Sequence, residues 1–316
     1  MGGQGGSGAK HVFSLHHRQP NSPYVLSPIY WDRGELIWVI PKLKSAFSHA
    51  DDLGELKVSI DAIKCQRDEQ DGKRGFRSGL DESAKRLLAG AQMLLPNAPS
   101  ERAQIESGLG VEESKALVVY NAISPNVGSL EAFVRETGFQ DFALCVGRVE
   151  WNKNQALLAL ALRGLGLPLV FIGKTPDAEY RRLCEGLVGG NPAEFLGELD
   201  HALVQSAYCA AAVHVLVGFG ETPGLANLEA AAQGCPIVVS TRGAERDYFG
   251  SYALYADPLN PASIRSAVEQ SITEGRGERT TKLQRIVLET YTWDQAAEAT
   301  LAAYQEALFG EAEEKH

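Results

Sequence analysis

Two glutamates eight positions apart, Glu221 and Glu229, bracket Thr222-Pro223-Gly224-Leu225. A carboxylate only accepts hydrogen bonds, so a pair of them suits the hydroxyls of a ribose or a sugar. Gly218, Gly220 and Gly224 let backbone approach a ligand closely. Pro223 suits the first position of a following helix, where its missing N–H costs nothing. The unpaired N–H groups of that first turn would favour an anion. A lone phosphate fits poorly between two carboxylates. A nucleotide-sugar could use all of it, with amides for phosphate and carboxylates for hydroxyls. With Pro223 as the first helical residue, positions 222, 225, 226 and 229 share one face.

The elements that must carry these residues are legible around them. Val213–Val217 is an apolar run of strand length, Leu225–Gln233 reads as a helix, and Ile237–Ser240 reads as a second buried strand. Upstream, the apolar run Ala143–Val149 leads into Gly147-Arg148-Val149-Glu150-Trp151-Asn152-Lys153-Asn154. Taken singly these are bland features. A Glu on a surface helix is normally solvated, an Arg five residues before a Lys is normally surface, and a Gly-x-Gly turn at a strand end is ordinary turn chemistry.

Their coincidence is not bland. Glu221 to Ala230, Glu-Thr-Pro-Gly-Leu-Ala-Asn-Leu-Glu-Ala, resembles the E-x7-E motif of the retaining GT-B-fold glycosyltransferases, the group 1 family (family 4). Gly147 to Asn154 is similar to the family's G-R-x4-K-N, about 70 residues earlier, as a Rossmann-like half requires. The resemblance implies an α/β fold of two Rossmann-like domains (GT-B), here with the N-terminal one incomplete. It implies transfer of a sugar from a nucleotide-sugar donor to an acceptor hydroxyl, glycan or lipid-linked. Arg148 and Lys153 would stabilise charge on the departing diphosphate, and Glu221 would orient the donor sugar. Gly147, Thr222, Pro223, Gly224 and Leu225 would line the donor site, with Glu229 on the ribose. Retention of configuration is likewise implied by resemblance. The family's acceptor-side His has no clear counterpart; His16 and His17 are weak candidates.

Two other classes remain open. A non-catalytic nucleotide-sugar-binding protein, or a degraded transferase, follows if the acceptor domain is short. A nicotinamide-dependent oxidoreductase is suggested by Gly218-x-Gly220-x3-Gly224 after a strand, although Glu221 in that loop would repel a pyrophosphate and the spacing is not G-x-G-x-x-G.

Bulk properties narrow the field. The 316 residues suggest two domains. A net charge of −10 and pI ≈ 5.3 argue against nucleic acid as a partner. Five scattered cysteines, without C-x-x-C, read largely as small core residues, and the odd count fits a reducing, cytoplasmic setting. No His-rich metal spacing and no D-x-D occur, so no metal cofactor is expected.

In domain terms, residues 1–10 are Gly-rich and tag-like, and 11–140 would form the partial acceptor-side domain. Residues 141–292 would form the donor-binding domain, and 293–310 a last helix returning to the first domain. In the first part, His11–Leu15 and Tyr24–Ile29 read as strands. Glu35–Phe47 reads as a helix on the sheet broken at Pro41, with an interfacial amphipathic segment as the alternative. That alternative would allow peripheral contact at the inner membrane face. A polar helix and a loop around 70–79 follow. The domain junction is expected near Asn126–Asp141. Beyond it, strands and helices alternate, which requires βαβ units and a parallel sheet. Ala156–Gly173 has the hydropathy of a membrane span, but Arg163 and the Gly164-x-Gly166-x-Pro168 break make it helix, turn and strand.

Overall fold

The computed structural model describes residues 25–27, 34–71, 82–109, 115–124 and 126–309. The expectations for residues 1–10, for His11–Leu15, for His16 and His17, and for most of the 70–79 loop lie outside these. The chain divides into two compact units.

In the first unit β1 (Val25–Leu26) pairs in parallel with β2 (Met93–Leu94), Val25 opposite Met93 and Leu26 opposite Leu94. Residues 116–119 continue alongside, with Leu117 N–H donating to Leu94 O and Val119 N–H to Pro96 O, both at 2.9 Å. Two helices, α3 (Glu82–Ala89) and α4 (Pro99–Leu109), precede and follow β2 in sequence. The unit takes the last helix, α13 (Trp293–Phe309), from residue 294 on, and Ala303 of that helix packs with Met93 and Leu95.

The second unit is built on six parallel strands. They are β3 (Ala143–Val146), β4 (Leu169–Ile172), β5 (Ala193–Phe195), β6 (Val213–Leu216), β7 (Ile237–Ser240) and β8 (Leu254–Ala256). Their order across the sheet is β5-β4-β3-β6-β7-β8. The four central strands read ALCV, LVFI, VHVL and IVVS and are buried almost throughout. A parallel sheet covered on both faces demands such near-continuous apolar runs. The order reverses direction between β3 and β6, and ligands in open α/β sheets bind outside the strand ends at such a switch point. The two motifs leave β3 and β6, so topology alone brings them side by side.

The crossover helices are α6 (Gln155–Leu162), α7 (Ala178–Leu187), α8 (His201–Ala210), α9 (Leu225–Ala232) and the short α10 (Glu245–Phe249), and α11 (Pro261–Glu274) and α12 (Glu278–Thr290) follow the last strand. The stretch 156–173 is helix, turn and strand, and among the described residues no helix is long and apolar enough to cross a membrane. Asp177 caps α7, Asp200 caps α8 and Asn260 caps α11, each accepting from amides of the first turn.

Three expectations are corrected. First, α1 (Gly34–His49) runs through Pro41 instead of breaking there. Pro41 lies on the exposed side, while Val39 and Leu43, one turn apart, are 0% and 1% exposed. Burial of that face offsets the lost backbone bond. Second, α1 and α2 (Leu53–Asp71) belong to the second unit. Val39, Leu43, Leu56, Ile60 and Ile63 join its apolar core, and Arg67 binds both carboxylate oxygens of Asp257 at 2.6 and 2.9 Å. Third, the second piece of this unit begins at Asn121, before the expected junction, and α5 (Leu130–Thr137) packs on α8 and buries Phe133 beside Phe142.

Candidate functional site

The loop after β3 is held from several sides. Gly147, at φ 149, turns out of the strand, and its N–H donates to Ile172 O at 2.9 Å. Gln155 closes the loop: its Oε1 accepts from Glu150 N–H at 3.2 Å and its Nε2 donates to Arg148 O at 2.8 Å. Asn154 sits at φ 62, a left-handed conformation Asn tolerates. Its Nδ2 donates to Val217 O at 3.0 Å and to Pro258 O at 2.8 Å, fastening this loop to the end of β6. Trp151 lies 4.5 Å from the Tyr180 ring and 6.0 Å from Phe47 of α1.

The loop after β6 meets it. Phe219 N–H donates to Asn152 O at 3.0 Å. A Cβ on Gly218 would stand 2.8 Å from that same Asn152 oxygen and 3.0 Å from Glu221 Oε1, so a side chain there would wedge the loops apart. Lys153 Nζ donates to Glu221 Oε1 at 2.7 Å and Oε2 at 2.9 Å. Glu221 itself is only 7% exposed. Arg148 is turned outward, half exposed, with Nη2 2.9 Å from Glu150 Oε1. The structure thus brings Lys153 and Glu221 into direct contact and leaves Arg148 half exposed, paired with Glu150.

Helix α9 begins at Leu225, not at Pro223. Gly224 has φ 78, which no right-handed helix includes, so Pro223 lies before the helix and its carbonyl accepts from Asn227 Nδ2 at 3.0 Å. The Thr222–Pro223 peptide is cis. Thr222 O accepts from Asn121 Nδ2 at 2.8 Å. The remaining face holds: Leu225, Ala226 and Glu229 are the less buried positions, while Asn227, Leu228 and Ala230 are fully buried. Thr222 is not a helical member of that face.

Glu229 has protein partners that the sequence did not announce. Its Oε1 lies 3.1 Å from His201 Nε2, and its Oε2 accepts from the Tyr208 hydroxyl at 3.2 Å. Burial and the adjacent Glu229 push the Tyr208 hydroxyl well above its ordinary value, so it remains a donor. Below the loops, His214 is fully buried and its Nε2 accepts from Val146 N–H at 3.3 Å. Burial pulls its pKa down to about 3, with Asn227 opposing weakly, so the ring is neutral. Glu245, also fully buried, lies where residues 243–244 run against Glu221. Asn154 and Asn227 stand inside the two motifs and were open to recognition. His201, Tyr208 and Glu245 carry no sequence signal. The groove between α1 and α2, lined by Lys42, His49, Glu55 and Val58 among others, includes none of the predicted residues.

The family described as glycosyl transferases group 1 matches residues 132–289. An uncharacterized glycosyltransferase of Methanocaldococcus jannaschii is 28% identical over 228 residues, which cover 66% of this chain and 58% of that protein. Sucrose-phosphate synthase from Thermosynechococcus elongatus aligns with a TM-score of 0.64 at 22% identity, over 72% of this chain and 61% of that one. Anabaena HepE, solved with UDP and glucose, aligns with a TM-score of 0.62 at 16% identity, over 92% and 88%. At these identities the two solved structures speak to the fold. The chain spans under two thirds of the length of the first two of these proteins.

Proposed function

Since the chain belongs to the glycosyl transferases group 1 family, we propose that it binds a nucleotide-sugar donor at the paired loops of the second unit and transfers the sugar to an acceptor hydroxyl. The observation that carries this reading is the meeting of Lys153 and Glu221 at the switch point, one from each loop, at 2.7 and 2.9 Å. A cation for phosphate and a carboxylate for hydroxyls converge where a phosphate-linked sugar would lie.

The roles follow from chemistry. Lys153 divides its charge between Glu221 and the diphosphate, and Arg148 swings from Glu150 onto the same phosphates. As the anomeric bond breaks, both cations stabilise the charge gathering on the leaving diphosphate. The amides of Leu225 and Ala226, which open α9 ahead of the first bond from Asn227 N–H to Gly224 O at 2.9 Å, support that charge or the sugar. Glu221 accepts from the sugar hydroxyls. Glu229, already holding His201 and Tyr208, has lone pairs left for the ribose. Because two side-chain cations face the phosphates, the reading needs no metal. Retention of configuration, a glycan or lipid-linked acceptor and a cytoplasmic setting are part of the same proposal. Val39 and Leu43 of the 35–47 stretch are buried in the second unit, so peripheral membrane contact there would rest on the other side of α1.

Calorimetric titration with UDP, GDP and NAD tests the proposal. Binding of a nucleoside diphosphate that weakens in Lys153→Ala is the expected result. Binding of NAD with none of either diphosphate would overturn it.

A further inference from the structure

Glu245 is the group near this site that the proposed chemistry does not use. It opens α10, is 0% exposed, and neither carboxyl oxygen has a hydrogen-bond partner. The segment before it runs against the Glu221 loop. Gly243 and Glu221 form a parallel bridge, and Ala244 N–H donates to Glu221 O at 2.9 Å. The Glu245 side chain folds back over Gly243. A Cβ on Gly243 would lie 2.2 Å from Glu245 Oε2, 2.6 Å from Glu221 O and 2.9 Å from Glu221 N. Glycine at 243, with φ 151, thus makes the space in which one carboxyl group approaches the backbone of the other glutamate.

A buried carboxylate with no donor is strongly disfavoured, and such a group takes up a proton instead. Lys153 acts on it only from a distance, because its Nζ is hydrogen-bonded to both oxygens of Glu221. We propose that Glu245 is the proton-bearing half of a carboxyl pair with Glu221, a positioning residue that leaves one negative charge, not two, to set against Lys153. Burial above all, and then the neighbouring Glu221, push Glu245 well above the ordinary carboxyl range, against the opposing pull of the Glu245 and Ser240 backbone N–H groups and of Lys153. The functional part rests on the reading of Lys153 as a diphosphate ligand. With the proton in place, Lys153 is shared between Glu221 and an arriving diphosphate. With the proton lost, a second negative charge holds Lys153 back and repels the phosphates.

Besides Glu221 and Lys153, other titratable groups lie near Glu245 among the described residues. Tyr255 of β8 brings its hydroxyl to within 3.5 Å of the Glu245 carbonyl, Arg246 lies over the Tyr255 ring at 4.3 Å, and Asp247 follows in α10.

The proton is tested apart from the ligand. An unfolded Glu ionises near 4.5, and the folded Glu245 above that value. The native chain therefore holds the extra proton, and stability falls as pH rises through that window. Relative to Glu245→Gln, the wild-type folding constant should drop by a factor approaching ten per pH unit above about 4.5, until Glu245 ionises in the fold. A gap between the two proteins that is flat with pH overturns the proposal. If the variant does not fold, carboxyl-labelled glutamate NMR on the wild type decides the point. One glutamate should resist ionisation through the ordinary range, and ordinary titration of every glutamate overturns it. For the functional part, the preference of the wild type for UDP over uridine should decline over the pH range where that resonance ionises, and Glu245→Gln should show no decline there. A decline shared by both proteins, or absent from both, reduces Glu245 to a structural role. Absence of UDP binding in either protein refutes the site reading, while the stability and NMR results still judge the proton.

Discussion

Lys153 Nζ reaches both carboxylate oxygens of Glu221, at 2.7 and 2.9 Å, so the cation suited to a diphosphate and the carboxylate suited to a sugar are each other's partners. The pair links the two loops across the switch point. A donor must compete for Lys153 with a carboxylate that is already close.

Lys153→Ala should therefore do two things. Binding of UDP should weaken by about 1.5–3 kcal/mol, the worth of a charge-assisted hydrogen bond, with uridine binding much less changed. Stability should fall as well, because Glu221 is left buried without its cation. Arg148→Ala should weaken UDP binding similarly with little change in stability, since Arg148 is half exposed. Calorimetry and denaturant unfolding on both variants check this. Equal losses for UDP and uridine would sink the diphosphate assignment.

Glu229→Gln should lose much of any preference for ribose over deoxyribose nucleotides. It should also unfold more easily, by about 1 kcal/mol, because an amide nitrogen cannot accept from Tyr208 or His201. Competition titration with UDP and deoxy-UDP, together with thermal unfolding, reads both effects. Intact ribose preference with a large stability loss would make Glu229 purely structural.

His214 predicts an acid limb in stability. Its folded pKa is near 3 and its ordinary value 6.5, so the unfolded chain binds the extra proton. The contribution of neutral His214 is full above about 6.5 and is lost as pH falls toward 3, at roughly 1 kcal/mol per pH unit. Asp257, held low chiefly by Arg67 against the effect of burial, acts only at the acid end, below its ordinary 3.8. Unfolding curves from pH 7 to about 4 should show the limb in the wild type and a shallower one in His214→Phe. An unchanged slope would mean that His214 is not buried as a neutral ring.

Arg67→Ala should destabilise the second unit by about 3 kcal/mol, since it strands Asp257 and frees the α2 end of the hairpin. Hydrogen exchange should quicken in α1 and α2 ahead of β3 and β6. Uniform quickening would show that the hairpin is not a separate layer.

The donor-side architecture was legible because strand and helix periods alternate without interruption from Ala143 onward and because two motifs end neighbouring strands. Helix α9 starts at Leu225, as its apolar pattern indicated, but Pro223 was miscounted as its first residue: a Pro two residues upstream looks like a first helical residue until Gly224 is seen at φ 78. The α1–α2 hairpin was misassigned because its apolar face fits any sheet equally well. Only a long-range pair such as Arg67 with Asp257, 190 residues apart, decides which. His201 and Glu245 were invisible for the same reason, as their meaning lies wholly in what tertiary structure sets against them.

The interleaving of the two units bears on how the chain can be made. Residues 34–71 leave the ribosome long before the strands they cover, and their Val39, Leu43, Ile60 and Ile63 must wait, uncovered, for the sheet. The first unit waits longer still, since Ala303, which fills the space beside Met93 and Leu95, comes after the whole second unit has been synthesised. Neither unit can be completed during the translation of the other's first piece. Folding of the first unit before the second is therefore closed to this chain, whereas the second unit has all its pieces by Trp293. A nascent protein of this design depends on late closure, and stalled or shortened translation products would present both sets of apolar residues to chaperones and proteases at once.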